Sequence, residues 1–389
     1  MTRLVQIVPH LPPTISGVGD YALLLAEELR RLHDIHTSFV IGNPDWNGPP
    51  ELNGFPVFKI AARSATALAE LLAQSTRPVV PLSGSPVVPS SRRPVVPLLL
   101  HYVGYGYEKR GCPFWLVRGL EAWRSENSPG QLVTMFHELY ASGPPWRSSF
   151  WSMPLQRSLA AGLAVLSNHC RTNLTQSART LEQLAPRHRG RIVVQPVFSN
   201  VGELDDPPPF TSRQPWLVVF GSGNWINKSF TKDRKELLAS CSSLAIQKVL
   251  VIGEPGPALA GLPVPIEALG VLRAGAASRW MAQAQAGFTS CPVHCLGKSG
   301  IFAAYTAHGL LPVVLRDAEN QDDLKVGDTM LTAGSTVSRV AGEQAARISR
   351  RAHAWYRPHS LRETASSYAA KLAEWLGSPQ AKAAQPLCS

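Results

Sequence analysis

Short apolar segments alternate with stretches of helical periodicity along most of the chain. Between the first two such segments, Tyr21, Leu25 and Leu29 recur at the spacing of one helical face. Near-continuous apolar strands separated by helices are typical of a parallel sheet covered on both sides, so the predicted class is α/β. Strands of the first half are predicted at 4–8, 37–41, 95–100, 132–136, 163–166 and 192–194.

The alternation breaks at an acidic, Pro-rich segment, 200–216, which is typical of an interdomain linker, and then begins again. A final helix, with Tyr368 and Leu372 in its apolar stripe, follows a capping box at Ser360. After the break we predict strands at 217–220, 249–252, 287–290 and 311–315, and helices at 232–240, 276–285 and from about 299. The predicted domains are 1–200, a linker at 201–215, 216–357, and a C-terminal helix and tail at 358–389.

Composition and charge limit the class of partner. The chain has 389 residues, 44% hydrophobic and 17% charged, as in a globular protein of two domains. A net charge of +11 attracts nucleotide phosphates, anionic lipid surfaces or nucleic acid, although a solvated basic surface explains it equally well. Without a nucleic-acid motif, we predict no nucleic-acid partner. The lack of a long apolar run or secretory signal favours a cytoplasmic protein, with peripheral membrane contact as an option.

Six cysteines without a framework spacing favour reduced thiols. Cys291, His294 and Cys295 lie close together, but one such cluster does not make a zinc site. We therefore expect no metal and no other cofactor.

The segment CPVHCLGKSG, which ends at Gly300, contains the Gly-Lys-Ser that closes a P-loop pattern. Pro292 stands where that pattern needs its first glycine, and proline can neither make the turn nor donate an N–H. The following helix still offers N–H groups at Gly300 and Ile301, beside the ammonium of Lys298 and the hydroxyl of Ser299. These residues predict an anion site, and an ordinary buried helix is the alternative.

Two loops of the first half also follow predicted strands. One passes Gly17 and Gly19 before a helix that begins at Asp20, which lets backbone approach a ligand closely. His137 and Glu138 stand at the carboxyl end of another strand, where a His can donate to a substrate hydroxyl or transfer a proton. A tight structural turn and a histidine bonded to loop backbone are the alternatives.

The second half opens with a strand and a loop of small residues that includes Ser222. Lys228 and Lys232 lie nearby, and an ammonium on a flexible stem suits a diphosphate. Solvated surface lysines are the simple alternative.

In their order along nearly the whole chain, these segments resemble the GT-B glycosyltransferases, especially the retaining enzymes of family 4. The matching segments are SGVGDYALLLAEEL, FHELYASGPPW, FGSGNW, VLVIGEPGP and FTSCPVHCLGKSGIFAAYTAHGLLPVV. The resemblance implies two Rossmann-like domains facing a cleft, with a C-terminal helix that crosses back to the first domain. It also implies that the second domain holds most of a nucleotide-sugar.

The same resemblance implies roles for individual residues. Gly17 and Gly19 would lie against the donor phosphates and the acceptor, and His137 would lie near the transferred sugar. We take His137, Glu138 and Lys298 as the catalytic candidates. Donor and phosphate binding would fall to Gly17, Gly19, Ser222, Lys228, Ser299, Gly300 and Ile301.

The chain departs from the family at its usual pair of glutamates, which are separated by seven residues. The corresponding positions are Gly297 with Tyr305, or Lys298 with Thr306, and no carboxylate occurs from 268 to 316. In the family the second glutamate receives the nucleotide ribose. A lysine in place of an acid reverses the local charge, which could strengthen diphosphate binding, change donor choice or mark a lost activity.

The leading prediction is a metal-independent, hexosyl-type glycosyltransferase of polysaccharide biosynthesis. It would move a sugar from a nucleotide-sugar to a glycan or lipid-linked acceptor, with retention. A non-catalytic GT-B-like module that binds a nucleotide-sugar or a protein is the alternative, and a sugar-nucleotide epimerase is a third. Transfer of sugar to any acceptor distinguishes the first from both others.

Overall fold

The structure, a computed structural model, consists of two compact units. One comprises Met1–Gln195 with Ala365–Ser389, and the other comprises Pro196–Thr364. The structure describes residues 2–76, 96–127, 130–141, 143–188, 191–254, 256, 259, 261–316, 320–321, 323–334 and 342–376.

The first unit is built around an eight-stranded sheet with the strand order β3-β4-β2-β1-β5-β6-β7-β8. Every neighbouring pair is parallel except the β3–β4 hairpin, as predicted for an α/β fold. The strands are β1 (Thr2–Val8), β2 (Ile35–Ile41), β3 (Glu51–Leu52), β4 (Phe55–Lys59), β5 (Leu98–Val103), β6 (Leu132–Glu138), β7 (His169–Thr172) and β8 (Ile192–Val194). The helices are α1 (Gly17–His33), α2 (Ala65–Ser75), α3 (Gly104–Tyr107), α4 (Phe114–Glu126), α5 (Ser148–Leu166) and α6 (Thr175–Leu184).

Three strands of this unit were not predicted, and one prediction was wrong. The β3–β4 turn consists of Asn53 and Gly54, with φ of 52° and 78°, which is a strong hairpin signal. The strand predicted at 163–166 is the last turn of α5, because Leu159 and Leu163 continue that helix's buried face. The true strand, β7, consists of buried His, Cys, Arg and Thr, so its polarity hid it.

The two faces of this sheet differ in polarity. Ile7, Leu100 and Phe136 pack on one face into a core shared with α2, α4 and α5. Because side chains alternate across a strand, the neighbouring positions lie on the other face. There each central strand contributes one polar residue, and we call this set the polar row: Thr37, Gln6, His101, His137 and Arg171.

The second unit repeats the layered pattern around a six-stranded, fully parallel sheet with the order β11-β10-β9-β12-β13-β14. The strands are β9 (Gln214–Phe220), β10 (Lys248–Ile252), β11 (Ile266–Gly270), β12 (Ala284–Phe288), β13 (Leu311–Val314) and β14 (Leu331–Thr332). The helices are α7 (Gly223–Phe230), α8 (Arg234–Ser243), α9 (Ala274–Gln283), α10 (Gly300–Ala307) and α11 (Gly342–Tyr356). None of the helices within the described ranges has the length and hydrophobicity needed to cross a membrane.

The last described helix, α12 (Leu361–Leu376), returns the chain to the first unit, as predicted. It begins at the predicted cap, where the Glu363 amide donates to the Ser360 hydroxyl at 3.2 Å. From Ala365 onward its residues belong to the first unit. The apolar stripe of the last helix therefore has the partner surface that its periodicity requires.

Arg171, in β7, holds α12 from inside the first unit. The residue is 2% exposed, and its guanidinium lies 4.0 Å from the ring centroid of Tyr368. It donates to the carbonyl and hydroxyl of Ser367 at 3.1 and 3.0 Å, and to Oε1 of Gln195 at 3.1 Å. In the part of the chain that the structure describes, Arg171 forms no ion pair. Helix α12 therefore supplies much of the polar environment that this buried charge needs.

Candidate functional site

The carboxyl ends of β9 and β12 and the start of α10 come together in the second unit. Gly221 follows β9 with φ of 141°, and a Cβ on it would lie 2.8 Å from Cδ1 of Ile301. Lys228 donates to the carbonyl of Ser290, two residues after β12, at 2.9 Å. The structure thus places Ile301 and Lys228 at the sheet edge where open α/β folds hold ligands.

The start of α10 lies within one residue of its predicted position. Ser299 is the N-cap, and its hydroxyl accepts from the amide of Phe302 at 3.2 Å. The first N–H groups of a helix have no partner inside it, so those of Gly300 and Ile301 remain for a ligand. Lys298 stands exposed immediately before the cap. These four consecutive residues, Lys298 to Ile301, are suited to bind an anion.

Lys228 lies on a helix rather than beyond a loop of small residues. That loop is short, because Ser222 is already the N-cap of α7, whose last turn carries Lys228. The ammonium is 3.6 Å from Asp233 and 5.1 Å from the ring centroid of Trp225. A carboxylate therefore balances part of its charge before any ligand binds.

The Cys291 thiol adjoins this cluster. Burial, together with Cys295, raises the pKa of Cys291 to about 11, against the opposing effects of the Ser299 hydroxyl and of Lys298 and Lys228. The thiol is therefore protonated at neutral pH and does not provide a thiolate ligand. Across the described ranges, no group of three or more His, Cys, Asp and Glu side chains is placed to hold a metal ion.

Two positions of α10 were aligned above with the second glutamate of the enzymes that the sequence resembles, and neither faces solvent. Tyr305 and Thr306 are both 0% exposed. The Tyr305 hydroxyl accepts from the amide of Phe220 at 3.0 Å and lies within hydrogen-bond distance of carbonyls of β9 and β12. The Thr306 hydroxyl donates to carbonyls of its own helix. Both side chains serve the packing of α10 on the sheet.

In the first unit, the two glycines before α1 have different surroundings. The helix begins at Gly17 instead of Asp20, because the Ser16 hydroxyl caps it by accepting from the Gly19 amide at 3.3 Å. A Cβ on Gly19 would lie 2.6 Å from the carbonyl oxygen of His10, so this glycine is needed for packing. A Cβ on Gly17 would meet nothing within 4 Å, so only Gly17 leaves open space for a ligand.

His137 belongs to a buried hydrogen-bond chain. Its Nε2 is 3.1 Å from Nδ1 of His101, whose Nε2 is 2.7 Å from Oε1 of Gln6. The amide nitrogen of Gln6 in turn contacts the Thr37 hydroxyl at 3.4 Å. The ring of Tyr21 packs edge-on against His137, with 5.0 Å between centroids. Glu138 ends β6 beside this chain, opposite Val103.

This chain determines which nitrogen of His137 carries its proton. Burial lowers the pKa of His137 to about 3 and that of His101 well below its ordinary value, so both rings are neutral at pH 7. Because Gln6 Oε1 can only accept, His101 carries its proton on Nε2 and accepts at Nδ1. His137 must then donate from Nε2. Its Nδ1, which has no hydrogen-bond partner among the described residues, is an acceptor.

We expect ring-nitrogen NMR of histidine-labelled protein to show His137 and His101 protonated at Nε2 only. His308 is an internal reference of opposite type, because its Nδ1 donates to the Ala304 carbonyl at 2.7 Å. Gln6→Met should change the His101 and His137 signals and leave those of His308 unchanged. A proton on Nδ1 of His137 in the wild type would contradict the assignment.

Sequence reasoning missed Gln6 and His101 as partners of His137. The available signal was a single polar residue inside an otherwise apolar strand, as in LVQIV and LLLHYV. A polar group in such a place has to find a partner on a neighbouring strand. That rule indicates a network without identifying its members, because strand order is not written in the sequence.

Comparison with known proteins identifies the fold. No protein-family model and no curated protein matches the sequence. HepE from Anabaena in complex with UDP is 13% identical with a TM-score of 0.58, over 97% of this chain and 100% of that chain. A glycosyltransferase from Rickettsia africae is 10% identical with a TM-score of 0.60, over 96% of this chain and 98% of that chain. The chain has the GT-B fold.

A third structure, the α,α-trehalose 6-phosphate synthase from Burkholderia multivorans, is 11% identical with a TM-score of 0.56. The match covers 97% of this chain and 99% of that chain. HepE is also known in complex with UDP-glucose, with 12% identity to this chain and a TM-score of 0.57. At such identities the likeness is one of fold, and function has to be argued from the site.

Proposed function

We propose that this protein is a metal-independent glycosyltransferase of the retaining family 4 type. It would transfer a hexosyl group from a nucleotide-sugar to a glycan or lipid-linked acceptor of polysaccharide biosynthesis in the cytoplasm. The observation that carries the proposal is the convergence of Lys298, Ser299, the N–H groups at the start of α10, and Lys228 in the second unit. The UDP and UDP-glucose complexes of HepE support it by analogy of fold.

The chemistry follows from the charge that develops on the leaving group. Cleavage of the sugar–phosphate bond leaves a nucleoside diphosphate with added negative charge, which fixed dipoles and cations stabilise. The N–H groups of Gly300 and Ile301 and the ammonium groups of Lys298 and Lys228 would provide that stabilisation without a metal ion. Ser222 completes the proposed donor set of the second unit. In the first unit, Gly17 is the proposed donor-binding glycine, Gly19 packs against the His10 carbonyl, and His137 and Glu138 remain the proposed catalytic groups.

A specific observation favours a second function, that of a non-catalytic nucleotide-sugar-binding module. No carboxylate occurs from 268 to 316, and the two positions that correspond to the second glutamate are buried. A module of this kind would bind a nucleotide-sugar without transferring its sugar. Detection of sugar transfer to any acceptor would exclude it.

Nucleotide binding by the second unit is the first test. We expect one nucleotide among UDP, GDP and ADP, or its sugar conjugates, to raise the melting temperature, because a ligand stabilises the state that binds it. Lys298→Ala should weaken that binding about tenfold or more, since a hydrogen bond to a charged group contributes about 1.5–3 kcal/mol. Titration calorimetry on both proteins measures the difference.

The matched control is Lys235→Ala, which removes an exposed lysine from α8 of the same unit. Its affinity should equal that of the wild type. If no nucleotide binds the wild type, the donor-site proposal is wrong. Equal weakening by both variants would instead indicate a general effect of net charge.

A further inference from the structure

The first half of α5 exposes a row of large apolar side chains. Trp146 is 83% exposed, Trp151 72%, Leu155 51% and Phe150 37%. Trp151 and Leu155 stand four residues apart on one side of the helix, Phe150 directly precedes Trp151, and Trp146 stands just before the helix. We call these four residues the aromatic ridge. Such a concentration on one helix is unusual for a surface that meets only water.

The ridge is held firmly on the first unit. Farther along α5, Leu159 and Leu163 are buried in the core, and Gln156, directly after Leu155, is 1% exposed. The Gln156 amide donates to the carbonyl of Arg110 at 2.9 Å and accepts from the amide of Ala141 at 2.8 Å. The apolar side chains are therefore displayed by a docked helix and do not result from a fraying end.

The ridge can enter an apolar medium without leaving the hydrogen-bond donor of Trp151 unpaired. Its indole N–H donates to the carbonyl of Pro145 at 2.9 Å. The Phe150 and Trp151 rings pack edge to face, with centroids 5.4 Å apart. Because the Trp151 N–H is already satisfied and the two rings support each other, insertion of this pair costs little polar desolvation and little side-chain order.

The charge around the ridge is mainly positive. No Asp or Glu occurs from 139 to 181, while Arg147 is exposed at the start of the ridge. Lys109 and Arg110 are exposed on the loop that Gln156 anchors. The nearby acid Glu108 accepts from the Lys109 backbone amide at 3.1 Å. Aromatic residues flanked by cations are typical of surfaces that lie at the boundary of an anionic bilayer.

We propose that the aromatic ridge docks the protein on an anionic lipid bilayer, with its rings at the level of the headgroups and Arg147 and Arg110 against lipid phosphates. A second copy of the chain fits less well, because a two-fold interface would set Arg147 against like charge with no acid in the helix to pair with it. The docking does not depend on the proposed transferase activity. It does fit an acceptor that is linked to lipid.

Vesicle flotation of the full chain tests the proposal. We expect binding to phosphatidylcholine vesicles that contain phosphatidylglycerol, and little binding to phosphatidylcholine alone. The double variant Trp146→Ser, Trp151→Ser should weaken binding about tenfold or more, because each ring contributes the burial of a large apolar surface. Arg147→Glu should weaken binding most at low salt, where charge is least screened.

Val165→Ser is the matched control, since Val165 is 59% exposed near the other end of α5 and outside the ridge. It should bind as the wild type does, and unchanged melting temperatures would show that all variants are folded. Two results would overturn the proposal: no binding to the anionic vesicles, or binding that the double tryptophan variant retains. A wild-type dimer that the double variant breaks, without vesicle binding, would assign the ridge to self-association.

Discussion

Lowering the pH from 7 to about 5 is expected to cost the first unit several kcal/mol of stability. Its buried histidines are the reason. Burial lowers the pKa of His137 and His169 from 6.5 to about 3, with Arg171 and Lys371 adding to the effect at His169. Burial and the neighbouring His137 hold the pKa of His101 well below 6.5. All three are neutral in the folded protein at pH 7.

The sign follows from proton binding in the two states. Above pH 6.5, the ordinary histidine value, neither state binds these protons and stability is complete. Between that pH and about 3, the unfolded chain is protonated while the folded chain is not, so stability falls as the pH falls. At about pH 5 the loss is about 2 kcal/mol for each histidine that titrates independently. His101 and His137 share one hydrogen bond and contribute jointly.

Urea denaturation at both pH values, followed by hydrogen exchange of β5, β6 and β7, measures this loss. His169→Gln removes one titrating ring, so its pH-dependent loss should be smaller than that of the wild type by about 2 kcal/mol. His36→Gln is the matched control, because His36 contacts Asp34 at the surface of the same unit. Identical pH dependence in wild type and His169→Gln would contradict the prediction.

Introducing a glutamate at Tyr305 is expected to disrupt the second unit rather than create a ribose-binding acid. The Tyr305 ring fills the space beside Gly287, where a Cβ would lie 2.6 Å from it, and its hydroxyl satisfies the Phe220 amide. Tyr305→Glu would bury a carboxylate and leave a cavity, at a cost of about 4 kcal/mol or more. Tyr305→Phe removes only the hydroxyl and should cost about 1–3 kcal/mol.

Lys298→Glu provides the matched control, since it places the same acid at an exposed position seven residues earlier in the chain. We expect a change in stability within about 0.5 kcal/mol, as is usual for a surface substitution. Denaturation with hydrogen exchange of β9 and β12 compares the variants. If Tyr305→Glu were as stable as Lys298→Glu, position 305 would be able to turn its side chain toward solvent. The buried role assigned to Tyr305 would then be wrong.

The sequence specifies the layers of this fold more clearly than its individual contacts. Apolar runs such as those in β1, β6 and β10 are visible because a strand covered on both faces must be apolar. The start of α10 and the cap at Ser360 were predictable because capping is a local interaction. By contrast, β7 was hidden, since its residues satisfy their polarity with partners far away along the chain.

The candidate site shows the same limit. Lys298 and Ser299 were predicted from their position before an apolar helix, and the structure keeps them there. That Lys228 contacts Ser290, two residues after β12, could not be read from the sequence, because the contact spans 62 positions. Nor could the proton of His137 be assigned without knowing that β1, β5 and β6 are neighbours. Short-range rules predict each candidate, and tertiary structure decides what it touches.

The burial of Arg171 also bears on the order in which the chain is synthesised. Residues 196–364, the whole second unit, leave the ribosome before Ser367 and Tyr368 do. Until then the guanidinium of Arg171 lacks both the carbonyl that it will donate to and the ring that will cover it. In a nascent chain that ends before α12, the first unit therefore has an Arg171 side chain that α12 does not yet cover or accept hydrogen bonds from. The second unit is one continuous segment, 196–364, so all of its residues have been synthesised before α12 is complete. It can therefore complete its own contacts first.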